Sequence, residues 1–513
     1  MEKSLIFSKM VGWAKSHKRI TFLLASLILA TVIELFASVS TSPLYGNLYL
    51  YDNIDIDSNF FMLAGKLITE GKTPYIDFFD HKGLYVFYIN ALGMSLGIGK
   101  YGVFLLQIVW YTFVLYFSFL TVELYQYGCR SYIVMACFYL FAMAFQWSGN
   151  HTGEWLLPFV VLSVYYASKA ITSKLEVNWV YACFMAGIEA GFAFNSRPSD
   201  AMWGLALVIA YAIHYFRKRR NIEILFNIIS ALSGLLLPFA IFIPISIIGG
   251  YTSIMFKAVI VENLIYTGGH ASDSRWLYRA LVLVWILLSS FFTFLRFKKK
   301  EDDELTYFLL SNLIIGGIMQ FIIARYGNYV ISAYPLMSLN VISIFHLIKI
   351  KDKSLLDHSN KWNGVFAGAG LAYGIIIMVL FYTIGMADAQ YNKEKAIQEE
   401  IVRLIPQEFF QKENGVYCLD TNVATYLNNN IKISTKYYTF QSWWASDNEE
   451  VVPLTLEYLN KAKPTYIIQR TYTLDDGDYG YYTPEPSFDE FLEANYTVIS
   501  KEDTPRIRIW EIK

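Results

Sequence analysis

The chain has 513 residues, of which 55% are hydrophobic and 17% aromatic, more apolar surface than a soluble fold of this length can bury. Its net charge of -1 gives no electrostatic case for nucleic acid as a partner. Many apolar runs approach the length that crosses a bilayer, so the sequence describes a polytopic α-helical membrane protein.

In chain order, a basic N-terminus leads into an apolar run at 20–39 with no small-residue cleavage pattern after it, which predicts a retained first span. Further spans are predicted at 101–124, 132–147, 153–168, 178–194, 199–216, 222–248, 276–296, 305–323, 327–348 and 362–385, about eleven in all. The run 84–98 is also apolar. The basic clusters Lys3 to Arg19, Arg217 to Arg220, Arg296 to Lys300 and Lys349 to Lys361 share one side only if that run does not cross. This expectation puts the N-terminus inside a cytoplasmic membrane and the C-terminus outside. It also makes 84–98 a second interfacial helix. Cys129, Cys137, Cys183 and Cys418 are scattered, with neither a disulfide framework nor metal-ligand spacing.

The first external loop, 40–100, carries the densest chemistry. Asp57 opens a segment whose apolar residues Phe60, Phe61, Ala64, Leu67 and Ile68 fall on one helical face, and Gly71 ends it. That element is short enough to lie in the interface. The polar run from Asp77 through Asp80, His81 and Lys82 follows. A second external loop spans 250–275. From 386 to 513 the long apolar runs vanish, and VYCLD, KYYTF, TYIIQR, TVIS and RIRIWEI read as strands, with helices at 421–429 and 487–494. The expected organisation is a transmembrane domain over 1–385 and a small external α/β domain over 386–513.

Each candidate residue also has an ordinary reading. Asp57 is a good helix N-cap, although capping does not explain the company of Asp55, Asp77, Asp80, His81 and Lys82. A solvated turn held by weak ion pairs accounts for Asp77 about as well as function does. In Asn150-His151-Thr152-Gly153-Glu154-Trp155, Glu154 starts a span, where a carboxylate suits the helix N-terminus. Arg197, in NSRPSD, and Arg325, in ARYGNY with Tyr326, are positive charges on the side where the orientation rule disfavours them. They suit an anionic lipid phosphate, and snorkelling is the alternative. Glu34 and Glu189 lie within spans and need a partner or cavity.

The long first external loop with its early Asp, the stretch GKTPYIDFFDHKGL, then NHTGEW, RPS and RYGNYVISAYP resemble the GT-C superfamily of membrane glycosyltransferases. The closest likeness is to bacterial members of the protein O-mannosyltransferase and lipid A aminoarabinose transferase type. The resemblance implies a GT-C fold and a polyprenyl-phosphate sugar donor. It implies a glycan, lipid or protein acceptor reached from outside the membrane, where membrane lipid is also a partner. It places Asp57 at the catalytic carboxylate of the first loop and Lys82 near the donor phosphate. Glu154 is the second catalytic candidate, Arg197 and Arg325 are further phosphate-binding candidates, and Asp80, His81, Asn150, His151 and Tyr326 complete the site list. The sequence departs from the family where an acidic pair is common, having Asp57-Ser58, and where a His-Tyr pair is frequent, having Asn328-Tyr329.

A carboxylate beside the attacking hydroxyl serves as general base, and cations stabilise the departing phosphate. Single displacement with inversion follows. No cofactor is required, and divalent metal dependence is left open. A transporter or flippase of a lipid-linked glycan is the rival reading; it calls for buried charges and inverted repeats. A noncatalytic membrane scaffold is a third.

Overall fold

The computed structural model describes residues 16–37, 56–126, 129–145, 149–217, 220–262, 331–349, 389–419, 421, 423–440, 449–470, 486–501 and 507–513, with isolated positions between 283 and 318. The expectations for Asp55, Arg325, Tyr326, Asn328, Tyr329, the loop beyond 262 and most of the spans at 276–296, 305–323 and 362–385 lie outside the described residues. The chain divides into two compact units, one of 1–39, 104–241 and 274–382, the other of 40–103, 242–273 and 383–513.

Among the described residues, four helices are long and apolar enough to cross a membrane: Lys100–Leu124, Thr152–Ser173, Val177–Phe194 and Ile222–Ile248. They coincide with expected spans. So do the shorter helices Lys18–Val32, Cys129–Phe145, Met202–Arg217 and Tyr334–Lys349. The helix Asn221–Ile248 holds 28 residues, about 42 Å at 1.5 Å per residue. It leaves Leu225, Phe226, Ile229, Leu232, Leu236 and Ile247 exposed along its length. A stripe of large apolar side chains on so long a helix is a surface made for lipid.

Small residues let neighbouring helices approach at backbone distance. A Cβ on Gly187 would lie 2.0 Å from the Ala231 carbonyl oxygen, and one on Gly234 would lie 2.2 Å from that of Phe184. Close packing of this kind replaces the hydrophobic drive that lipid cannot provide.

In the second unit, the helix Ile56–Thr69 packs against Leu84–Met94, crossing at Gly65, whose missing Cβ would stand 2.6 Å from the Asn90 carbonyl carbon. The second helix has 11 residues, about 16 Å, too short to cross a bilayer. Asp57 sits in the first turn of its helix, after Ile56, rather than at the expected cap position.

The C-terminal part forms a five-stranded sheet: β1 Val416–Leu419, β2 Thr439–Phe440, β3 Tyr466–Arg470, β4 Tyr496–Val498 and β5 Ile507–Ile512. The order is β2-β1-β3-β5-β4, with β1 parallel to β2 and β3, and β5 antiparallel to β3 and β4. The helices Ala424–Asn429 and Val451–Ala462 lie within the two parallel crossovers, as parallel pairing requires. The helix Ala389–Leu404 buries Ile397 and Ile401, one turn apart.

The expected strand KYYTF is shorter than its sequence suggests, and the reason is visible. Carbonyl oxygens that would extend the ladder are occupied: Tyr417 donates to Tyr437 at 2.8 Å, Tyr426 donates to Tyr438, and the Phe79 amide donates to Lys436 at 3.0 Å. Lys436 to Tyr438 thus turn away from the sheet toward the first loop.

Candidate active site

The loop between Ile56–Thr69 and Leu84–Met94 is wired to itself. The Thr73 amide donates to Asp77 Oδ2 at 2.6 Å, and the Tyr75 amide to the Phe78 carbonyl at 2.8 Å. Tyr75 adopts a left-handed backbone, φ 64°, a conformation costly for a non-glycine residue. Its ring is buried against Phe87 and Tyr251, and its hydroxyl donates to the Lys82 carbonyl at 2.5 Å. Burial, and then the charge of Asp80, raise the Tyr75 phenol well above its ordinary range, so it remains a donor.

This folded loop presents four ionisable groups in a chain. Asp80 Oδ1 lies 3.1 Å from His81 Nδ1 and accepts the Lys82 amide at 3.1 Å. His81 Nε2 lies 2.5 Å from Lys82 Nζ, and that ammonium stands 4.0 Å from Asp57 Oδ1. Asp80, His81 and Lys82 are buried, whereas the Asp57 side chain keeps 35% of its exposure. Burial lowers the His81 pKa from its ordinary value; Lys82 pushes the same way, while Asp80 and Asp57 oppose. The cluster therefore offers one reachable carboxylate, a buried ammonium, and a neutral imidazole. A reacting hydroxyl can meet the carboxylate, and an anion can meet the ammonium.

The C-terminal segment contributes to the same unit. The Phe79 ring lies 5.4 Å from the Tyr437 ring and 5.4 Å from Lys436 Nζ, and Phe60 lies 6.3 Å from Tyr438. Lys66 also bonds the Asn430 side chain.

The other unit holds the second cluster. Glu154 Oε1 and Oε2 accept the Gly149 amide at 2.8 and 2.9 Å, and Oε2 also accepts the His151 amide and the Gln107 side chain at 3.2 and 3.1 Å. The residues Gly149 to Glu154 thereby close a capping box at the start of Thr152–Ser173. Asn150, at φ 57°, accepts the Trp155 indole at 3.0 Å. His151 and Asn150 are buried within this turn.

Arg197 Nε and Nη2 grip Asp200 Oδ1 at 3.1 and 2.8 Å, and Thr152 donates to Asp200 Oδ2 at 2.7 Å. All three are buried. Asp200 is a partner that the sequence reading passed over, although its i, i+3 spacing from Arg197 pointed to it. Gln107, a lone amide within a predicted span, was also a visible signal. Among the described residues, no group of His, Cys, Asp and Glu has the arrangement of a metal site.

The family described as dolichyl-phosphate-mannose-protein mannosyltransferase matches residues 81–248, a stretch that begins at His81 and excludes Asp57. Among solved structures, ArnT from Cupriavidus metallidurans, crystallised with undecaprenyl phosphate bound, is similar at a TM-score of 0.55 and 10% identity. That match covers 97% of this chain and 98% of the other. No curated protein matches by sequence. The chain thus shares the fold of a solved membrane protein over nearly its whole length, and its residues 81–248 resemble one mannosyltransferase family. At 10% identity, ArnT is a likeness of fold.

Proposed function

We propose that this protein transfers a sugar from a polyprenyl-phosphate donor to an acceptor outside the cytoplasmic membrane, with its N-terminus inside and its C-terminal domain outside. The observation that carries the reading is the buried Lys82 ammonium 4.0 Å from the partly exposed Asp57 carboxylate. The undecaprenyl phosphate held by the Cupriavidus protein of the same fold supports a lipid-phosphate donor.

Asp57 takes the proton of the attacking hydroxyl as general base. The oxygen attacks the anomeric carbon opposite the phosphate, the bond to phosphate breaks, and the anomeric configuration inverts. Polyprenyl phosphate leaves with one more negative charge than it held as a diester, and Lys82 stabilises it. Arg325 remains a candidate for the phosphate and Tyr326 for the site, on the sequence resemblance alone. Glu154 is assigned to positioning rather than to proton transfer, because donors occupy both its oxygens and a buried, saturated carboxylate is badly placed to meet a hydroxyl. Arg197 likewise spends its fork on Asp200. The chemistry calls for no cofactor.

The test is transfer from a panel of labelled polyprenyl-phosphate sugars by wild type and Asp57→Asn, with and without EDTA. Donor consumption by wild type, and a loss of about 10²–10⁴-fold in the folded variant, supports the base. Equal consumption removes Asp57 from the chemistry. Loss on chelation adds a metal. If no donor is consumed while lipid moves between leaflets, the transporter reading replaces this one.

A further inference from the structure

Adjacent residues rarely bring their side chains together, because successive Cβ atoms diverge along most backbones. His81 and Lys82 are an exception: Nε2 and Nζ meet at 2.5 Å, both residues nearly enclosed. An ammonium carries only donors, so the imidazole nitrogen facing it must be the acceptor. That requires the ring proton on Nδ1, and the carboxylate charge of Asp80, with Oδ1 3.1 Å from that atom, favours a proton there. Asp80 also fixes the Lys82 amide, so a single carboxylate sets both the ring tautomer and the backbone that carries the lysine.

We propose that His81, its tautomer set by Asp80, is a positioning residue that holds the Lys82 ammonium toward Asp57 and toward the departing phosphate. This deepens the function proposed above and rests on it. The arrangement has a physical purpose. An ammonium on a four-carbon stem loses much rotamer entropy when it is fixed. A pre-set acceptor makes that loss during folding instead of during the reaction. A carboxylate in the place of His81 would fix the lysine equally well, yet would cancel the charge that the phosphate needs. A neutral imidazole fixes the cation and leaves its charge intact. The charged groups that act most strongly on the ring are Lys82, Asp80 and Asp57. When His81 takes a proton the acceptor disappears and two cations face each other, so the lysine loses its holder.

The experiment uses the full-length protein in two arms. In the first, ring-nitrogen NMR identifies His81 by subtraction of the His81→Asn spectrum. The expected result is the Nδ1–H tautomer, with a titration that moves upward in Lys82→Met because a neighbouring cation is gone. An Nε2–H tautomer, or a titration indifferent to Lys82, overturns the proposal whatever the protein's activity. In the second arm, sugar transfer is followed against pH. His81→Asn keeps an acceptor that does not titrate; it should hold turnover within about threefold of wild type and lose the acid limb that His81 imposes. His81→Leu should lower kcat by about 10–100-fold with a smaller change in KM. Wild-type turnover in His81→Leu overturns the positioning role. If no donor is turned over by wild type, the function proposed above fails, while the NMR arm still decides the His81–Lys82 coupling.

Discussion

Asp57 and Lys82 belong to different elements, yet the carboxylate in the first turn of one helix meets the ammonium at the end of the following loop at 4.0 Å. The helix entry and the loop exit come together because Ile56–Thr69 and Leu84–Met94 cross at Gly65, at backbone contact. The pair therefore depends on packing about two helical turns away from it.

That dependence makes Gly65 a sensitive position. A Cβ there would press on the Asn90 carbonyl carbon at 2.6 Å and the Ala91 amide nitrogen at 2.7 Å, neither of which can swing aside. Gly65→Ala should destabilise the protein by about 1–3 kcal/mol, as overpacking does. It should also lower transfer more than its effect on folding explains. Thermal unfolding beside turnover of the purified variant checks both.

Lys82→Met should keep the fold, since Met fills a similar volume and removes only the charge. Loss of one electrostatic stabiliser of a developing anion costs about 10²–10³ in kcat. Retained undecaprenyl phosphate affinity with reduced turnover would mark Lys82 as acting on the transition state; loss of both would mark it as a ground-state grip. Parallel binding and rate measurements separate the two.

The Arg197–Asp200 pair should act on stability. Removing either partner leaves a buried charge uncompensated, at a cost of about 3–5 kcal/mol. Arg197→Leu should therefore unfold at a markedly lower temperature, and the double variant Arg197→Leu with Asp200→Leu should recover part of the loss. If the single variant keeps its melting temperature and loses lipid binding, the arginine serves the donor.

The lowered His81 pKa has a consequence for acid stability. Below the ordinary value of 6.5 the unfolded chain takes up a proton that the folded chain refuses, so stability falls as pH drops from there toward the folded pKa. Above that value the contribution is constant. Melting temperature should decline from pH 7 to pH 5 in wild type and decline less in His81→Asn, whose side chain does not titrate.

Much of this was legible in the sequence because apolar length and period carry it. The described spans lie where hydropathy put them, and β1, β3, β4 and β5 follow their β-branched and aromatic runs. Asp57, Asp80, His81 and Lys82 were visible as a dense polar loop beside a membrane. Their wiring was not, because it depends on the left-handed turn at Tyr75 and on the side-chain directions that follow from it. Residues 40–103 and 383–513 belong to one compact unit. Nothing local announces that. KYYTF has the composition of a strand, and long-range contacts with Phe79, Tyr417 and Tyr426 take its carbonyls instead.

The grip of Lys436 and Tyr437 on Phe79 also sets an order of events during synthesis. A ribosome makes the Phe79 loop early and its partner only after most of the chain has been threaded into the bilayer. Until then Phe79 lacks the Lys436 carbonyl that takes its amide and the Tyr437 ring and Lys436 ammonium that lie against its own ring. A polypeptide that stalls before residue 436 carries every residue of the Asp57–Lys82 cluster without the clasp that closes over its neighbour. Completion of the chain thus becomes a condition for the contacts that close over Phe79.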